Sequence, residues 1–288
     1  MIESFITSFR LKNTYRVNSI IYSIKQFPII KRILPNSLYK NKGLKIFANI
    51  ISILIEILSI FVGKLIYIAS MIFAVLSFYE TNQTDTFLHI FLFLTLCGGV
   101  LNTYMLNPTK DKYYAIVIMN MDARKYGLSN YYYQLLKLVI GFLPFTILFG
   151  MITKTPLWIQ LALPFFVVAI KLIVMNYSLY DFNKNQKAKN ENLPTKFVWS
   201  FVAICLLAAY GLPAINITIF LCIFVFTLIL GIYSLLKIHN FKDYRKMYKQ
   251  VLTITNVYAV ENNSGTQAMK NTSLKQKELD KNYTSNKS

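Results

Sequence analysis

The sequence predicts an all-α, polytopic membrane protein. It has six transmembrane helices, an N-terminal amphipathic helix and a cytoplasmic helical insert between helices 2 and 3. Three observations predict it. The chain of 288 residues is 55% apolar and 15% charged, with 22 Phe and 20 Tyr and a mean hydropathy of +0.43. A soluble domain has roughly 45–50% apolar and roughly 25% charged residues. Six apolar runs are separated by polar connections, and Lys and Arg are concentrated on alternate connections.

Residues 1–45 are basic throughout, with Arg10, Lys12, Arg16, Lys25, Lys31, Arg32, Lys40, Lys42 and Lys45. They lack the short apolar core and small-residue cleavage site of a signal peptide. Apolar residues recur among the charges (Phe5, Ile6, Phe9, then Ile20, Ile21, Ile24, then Ile29, Ile30, Ile33), which predicts amphipathic helix at the headgroup layer, broken by Pro28 and Pro35.

The spans are predicted at 46–78, 86–106, 132–152, 156–180, 197–212 and 214–236. A helix crosses the ~30 Å hydrocarbon with about 20 apolar residues, so the first run must tilt or begin in the interface. The segments before span one, between two and three, between four and five, and after six hold 27 of the 31 Lys and Arg. The opposite connections, at 80–85, 153–155 and 211–215, hold Lys154 alone. This bias places both termini in the cytoplasm of a multi-pass protein of the inner (plasma) membrane. The net charge of +19 therefore reports topology and not nucleic-acid binding. The domain boundaries follow: a lead-in at 1–45, a transmembrane domain at 46–238 and a polar cytoplasmic tail or linker at 239–288, of which 261–288 reads as disordered.

The stretch LNPTKDKYYAIVIMNMDARKYGLSNYYYQLLK, residues 106–137, is too long and too patterned for a simple turn. Asn107-Pro108 ends span two. Residues 110–121 predict a helix with Tyr113, Ile116 and Val117 on one face, and 122–126 a short polar helical turn. Gly127 suits a C-terminal cap, and Ser129 or Asn130 suits the start of span three. Two short helical pieces between two spans make a shaped cytoplasmic knob, a candidate for docking a partner.

No nucleotide-cradling GxxxxGK[ST], GxSxG or HExxH occurs, and the interface lacks a Ser, His, Asp or Arg cluster, so catalysis by the chain itself is not expected. Cys97, Cys205 and Cys222 lie in apolar runs without CxxC spacing, which argues against a disulfide framework. His89 and His239 have no ligand cluster beside them, and no metal is expected. The charges inside spans are candidate pathway residues: Glu56, Lys64 and Lys171. Glu56 and Lys64 are about 12 Å apart along a helix and roughly 80° apart around it, too far for an ion pair. The bland reading puts Glu56 in the interface, with Lys64, Lys137 and Lys171 snorkelling. Pro144 and Pro164 fall inside spans three and four and are candidate hinges.

The knob, with the phrase SLYKNKGLKIFANIISILIEIL before it, the long first span and a proline-bearing third span, resembles the membrane subunits (permeases) of ABC-2-type ABC transporters. The resemblance covers about residues 1–250. It implies a coupling helix at about 119–126, with Met119 at its start and Asp122, Arg124, Lys125 and Tyr126 as polar contacts to an ABC ATPase subunit. ATP and Mg would be held by that partner and no cofactor by this chain. It also implies a second six-helix half, as a homodimer or another permease chain; some members are about twice as long, so this chain is either a half-size permease or the N-terminal half of a longer one. Two rival expectations stand beside it. An ATPase-independent secondary transporter or channel would use Glu56 and Lys171 along its pathway. A membrane-embedded lipid-modifying enzyme would need the polar cluster that is missing.

Overall fold

The computed structural model describes most residues between 6 and 21, and residues 42–73, 83–191 and 194–253. Among these every regular element is helical. Helix α1 spans Lys42–Ile66 and continues as a π-helical stretch, Tyr67–Phe73. Next come α2 (Gln83–Leu101), the short α3 (Lys110–Tyr113) with a π turn at Tyr114–Ile118, α4 (Ala123–Ile152) and α5 (Leu157–Asn185). The last three are α6 (Lys196–Gly211), α7 (Ile217–Asn240) and α8 (Tyr244–Val251). The predicted breaks at Pro28 and Pro35 and the predicted disorder at 261–288 lie outside the described residues.

Five helices are long and apolar enough to cross a membrane, namely α1 with its π extension, α2, α4, α5 and α7. The chain has the build of a multi-pass membrane protein. The predicted fifth span, 197–212, is present as a 16-residue apolar helix, α6, shorter than these five. At about 1.5 Å per residue it covers about 24 Å, short of the ~30 Å hydrocarbon. Span two also ends earlier than predicted, at Leu101, and residues 102–109 leave the helix as irregular chain.

α5 is the central helix, packed against α7, α4 and α2. Its most apolar window is 56% buried, against 11% for α1, which touches the bundle through α4 and stands at its edge. Phe87, Phe91, Leu163, Phe166, Phe220 and Phe224 form the heart of one apolar core between α2, α5 and α7. α6 packs on α2 alone among its main neighbours, around Cys97, Val202 and Cys205. His89 of α2 pairs with the Ala208 carbonyl at 3.0 Å. At the tight α4–α5 turn Thr84 donates to the Thr153 carbonyl at 2.7 Å, and Gln160 to that of Thr155 at 2.6 Å.

α4 and α5 each run for about 45 Å, roughly 15 Å more than the hydrocarbon requires. They share the turn at 153–156, so the excess emerges at their other ends. There a second core forms, rich in Tyr and Met: Tyr126, Tyr131, Met175, Tyr244, Met247 and Tyr248 are all buried. α8 closes it. Residues 241–252, read from sequence as the start of a polar tail, are packed there, with Phe241, Val251 and Leu252 also buried.

The start of α4 corrects the predicted layout. Gly127 is not a C-cap, and Ser129 and Asn130 do not begin a new helix. Asp122 is the N-cap: its carboxylate accepts from the Arg124 amide at 2.9 Å and the Lys125 amide at 3.2 Å, and α4 runs unbroken from Ala123. Ser129 donates to the Lys125 carbonyl inside the helix. Gly127 is present because the Tyr248 ring lies over it; an added Cβ would sit 2.7 Å from the ring edge and the hydroxyl. Gly127→Val should therefore destabilise the protein by about 1–3 kcal/mol through overpacking. Gly98→Ala, in open space on α2, should leave it unchanged or raise it. Thermal unfolding in detergent measures both, and equal midpoints would refute the contact.

Candidate functional site

The residues between α2 and α4 form the insert, and its shape depends on how its main chain is satisfied. The chain at 102–109 makes no regular ladder, so its amides and carbonyls need other partners. Three charged side chains from elsewhere supply them. Glu191, on the α5–α6 connection, accepts from the Tyr104 amide at 3.1 Å, the Leu106 amide at 3.0 Å and the Thr103 hydroxyl. Lys112, 2% exposed, donates to the carbonyls of Tyr104 and Met105 at 3.1 Å each and of Asn107 at 2.9 Å. An ammonium has three protons, and all three are used. Lys171 of α5 donates to the Gly98 carbonyl at 3.1 Å and to that of Asn102, which caps the end of α2.

Tyr104 sits at the centre of this clamp. Its φ is 72°, an unusual place for a bulky side chain, with a cost on the order of 1–3 kcal/mol. The amide bonds to Glu191 and Asn102 and the Lys171 ammonium 4.4 Å from its ring centre hold it there. Burial, together with the Glu191 charge, pushes its hydroxyl pKa up. Burial likewise raises those of Tyr244 and Tyr248, so all three stay neutral donors at ordinary pH.

Beyond the clamp the backbone widens into the π turn. The Met119 amide reaches back to Tyr114, and the Met121 amide to Ala115. This wider winding shifts the register. Ala115 and Ile116 are buried, whereas Tyr114, Val117, Ile118 and Met119 are exposed, so the predicted shared face of Tyr113, Ile116 and Val117 is split. Asn120, at φ 55°, turns the chain towards the Asp122 cap.

The candidate docking residues divide accordingly. Met119, at 55% exposed, and the side chains of Asp122 and Lys125, which lie 3.9 Å apart, face outward. Arg124 is half-buried and donates to the His239 carbonyl at 2.6 Å. Tyr126 is fully buried and donates to Asp111 at 3.2 Å, so it is not a surface contact. Both are long enough to reach partners within the fold, which residue type and spacing did not reveal. α8 braces the insert from behind: Tyr248 donates to the Met105 carbonyl at 3.3 Å, and Arg245 bonds Asn120. Lys246 and Gln250 tie α8 to Gln186 at the end of α5.

The candidate pathway residues each have partners within the fold. Lys171 is 4% exposed and held by main-chain carbonyls, where sequence reading had it snorkelling or facing a pathway. Glu56 pairs with Lys137 of α4 and with Arg16. Lys64 reaches the Ser59 carbonyl at 3.4 Å. Pro144 is exposed on α4 and Pro164 buried on α5, and both helices continue through them. Sequence reasoning missed Glu191, Lys112, Arg245 and Tyr248. The first carried a weak signal, since Glu191 stands in a short connection rich in Lys; the others carried none.

Comparison with known protein families, with curated proteins and with solved structures returned no match.

Glu191→Ala removes three bonds to a charged acceptor at once and leaves the Leu106 amide without that partner, a local cost on the order of 3 kcal/mol. Hydrogen exchange across 103–106 should speed up roughly hundredfold, while α7 keeps its protection. Unchanged exchange at 103–106 would refute the clamp.

Proposed function

We propose that this chain is the membrane-spanning subunit of an ABC transporter, working as an exporter with a separate ATP-hydrolysing subunit and a second six-helix half. The insert is its docking element, and the ATPase, with its ATP and Mg, sits on the tip formed by Tyr114, Val117, Ile118, Met119, Asp122 and Lys125. The observation that carries the reading is how firmly the insert is held. It joins α4 through a tight turn at 119–122 that ends in the Asp122 cap, is clamped at its base by Glu191, Lys112 and Lys171, and carries exposed apolar side chains at its tip.

The chain has no nucleotide-cradling loop of its own, so energy from ATP must reach it as force. A stiff tip fused to a membrane helix transmits a push as a shift between discrete packings. The concentration of Lys and Arg on the connections that share a side with the insert supports a cytoplasmic tip, with both termini on that side. Apolar side chains ringed by an Asp and a Lys have the composition of a small protein interface, in which a few central residues dominate. The ATPase-independent reading has less support, because Lys171 is bound to carbonyls and does not face an open passage.

Co-expression with the ATPase encoded nearest to this chain tests the proposal. The wild-type chain should retain the ATPase through purification, and Ile118→Asp with Met119→Asp should reduce retention at least about tenfold. An ATPase that fails to associate, or associates equally with the variant, would contradict it.

A further inference from the structure

A second polar cluster lies away from the insert, where the N-terminal helical residues cross α1 and α4. Asn13 bonds Asn49 at 2.9 Å and accepts from Ser52 at 3.2 Å, and Val17 and Ile21 bury against Ala48, so this segment lies along α1. Glu56 of α1 is paired with both Arg16 and Lys137 and accepts from the Tyr133 hydroxyl at 3.2 Å. Lys64, two turns along α1, lies over Gly141, one turn along α4 from Lys137; its Cε is 3.3 Å from where a Cβ would stand.

Among the described residues, then, the ion pairs of this cluster set one carboxylate against Arg16 and Lys137, with Lys64 beside them. Excess positive charge within a bilayer is costly and calls for an anion. Lys137 lies fifteen residues before Ile152, or about 22 Å from the α4–α5 turn, which puts it roughly 8 Å inside the opposite edge of the hydrocarbon. A long cationic side chain spans most of that distance. Between the segment and α1 is a cavity of about 140 Å³ with Arg16, Glu56 and Tyr133 among its polar lining. Its other walls include Phe9, Ile53 and Ile57, each about half exposed on the lipid-facing edge of the bundle.

We propose that this cavity binds the phosphate of an anionic phospholipid, with Arg16 on the phosphate, Lys137 adding its charge from behind Glu56, and the acyl chains along Phe9, Ile53 and Ile57. Charge selects the headgroup, and the apolar walls select a lipid over free phosphate. Each cation at a membrane surface contributes about 1 kcal/mol to the attraction of anionic lipid, or about fivefold in affinity. Bound there, the lipid fastens the N-terminal segment to α1 and α4.

Native mass spectrometry of the full chain in detergent tests this with three probes: phosphatidylglycerol, phosphatidylcholine and inorganic phosphate. Phosphatidylglycerol should bind at least about fivefold more tightly than phosphatidylcholine, and inorganic phosphate should not displace it. Arg16→Gln should weaken phosphatidylglycerol binding about fivefold, and Glu56→Gln should strengthen it by a similar factor, because it removes the competing carboxylate. A cluster with only a scaffolding role would lose binding in both variants, and that outcome overturns the proposal. Equal retention of the two lipids, or displacement by inorganic phosphate, also overturns it. Glu56→Gln keeps the test decisive if Arg16→Gln does not fold.

Discussion

The structure depends on how the chain leaves α2. After Leu101 the main chain has no helix to satisfy it, and it runs through a buried region. Unpaired buried amides and carbonyls each cost about 1–3 kcal/mol. The protein meets this with charged side chains: a carboxylate for the amides and two ammonium groups for the carbonyls. Because Glu191, Lys112 and Lys171 come from three places in the chain, the clamp joins the α5–α6 connection, the insert and the centre of α5. A displacement of the insert cannot occur without moving at least one of them, or breaking its bonds.

The two cores divide the work. The Phe- and Leu-rich core between α2, α5 and α7 sits where a bilayer would surround it. The Tyr- and Met-rich core lies where α4 and α5 outrun the bilayer thickness. Tyrosine suits this second position because its ring fills apolar space while its hydroxyl reaches a carbonyl or carboxylate, as Tyr126, Tyr244 and Tyr248 do. The insert is thereby mounted on a rigid extension of two central helices, while α1 and α6 remain peripheral.

The helical class and the membrane character were legible in the sequence, because both rest on long runs of apolar residues. Sequence reading misplaced local boundaries where one residue type serves two purposes. Gly127 looked like a cap and is a contact surface for Tyr248. Asp122 looked like part of a polar turn and is the cap that starts α4. The face of the insert was misread because a π turn abandons the 3.6-residue period on which such readings rest. Glu191 and Lys112 act on main chain far away or out of register with any side-chain motif, and no spacing rule reaches such bonds. The same holds for Glu56, whose partners stand some 40 and 80 residues away.

The account turns on which side of the membrane the tip faces. Met119→Cys, in an otherwise cysteine-free chain, probed with a membrane-impermeant maleimide, measures this directly. The account predicts labelling in inverted membrane vesicles and none in intact cells. Labelling in intact cells would put the tip outside, away from any ATPase, and contradict it.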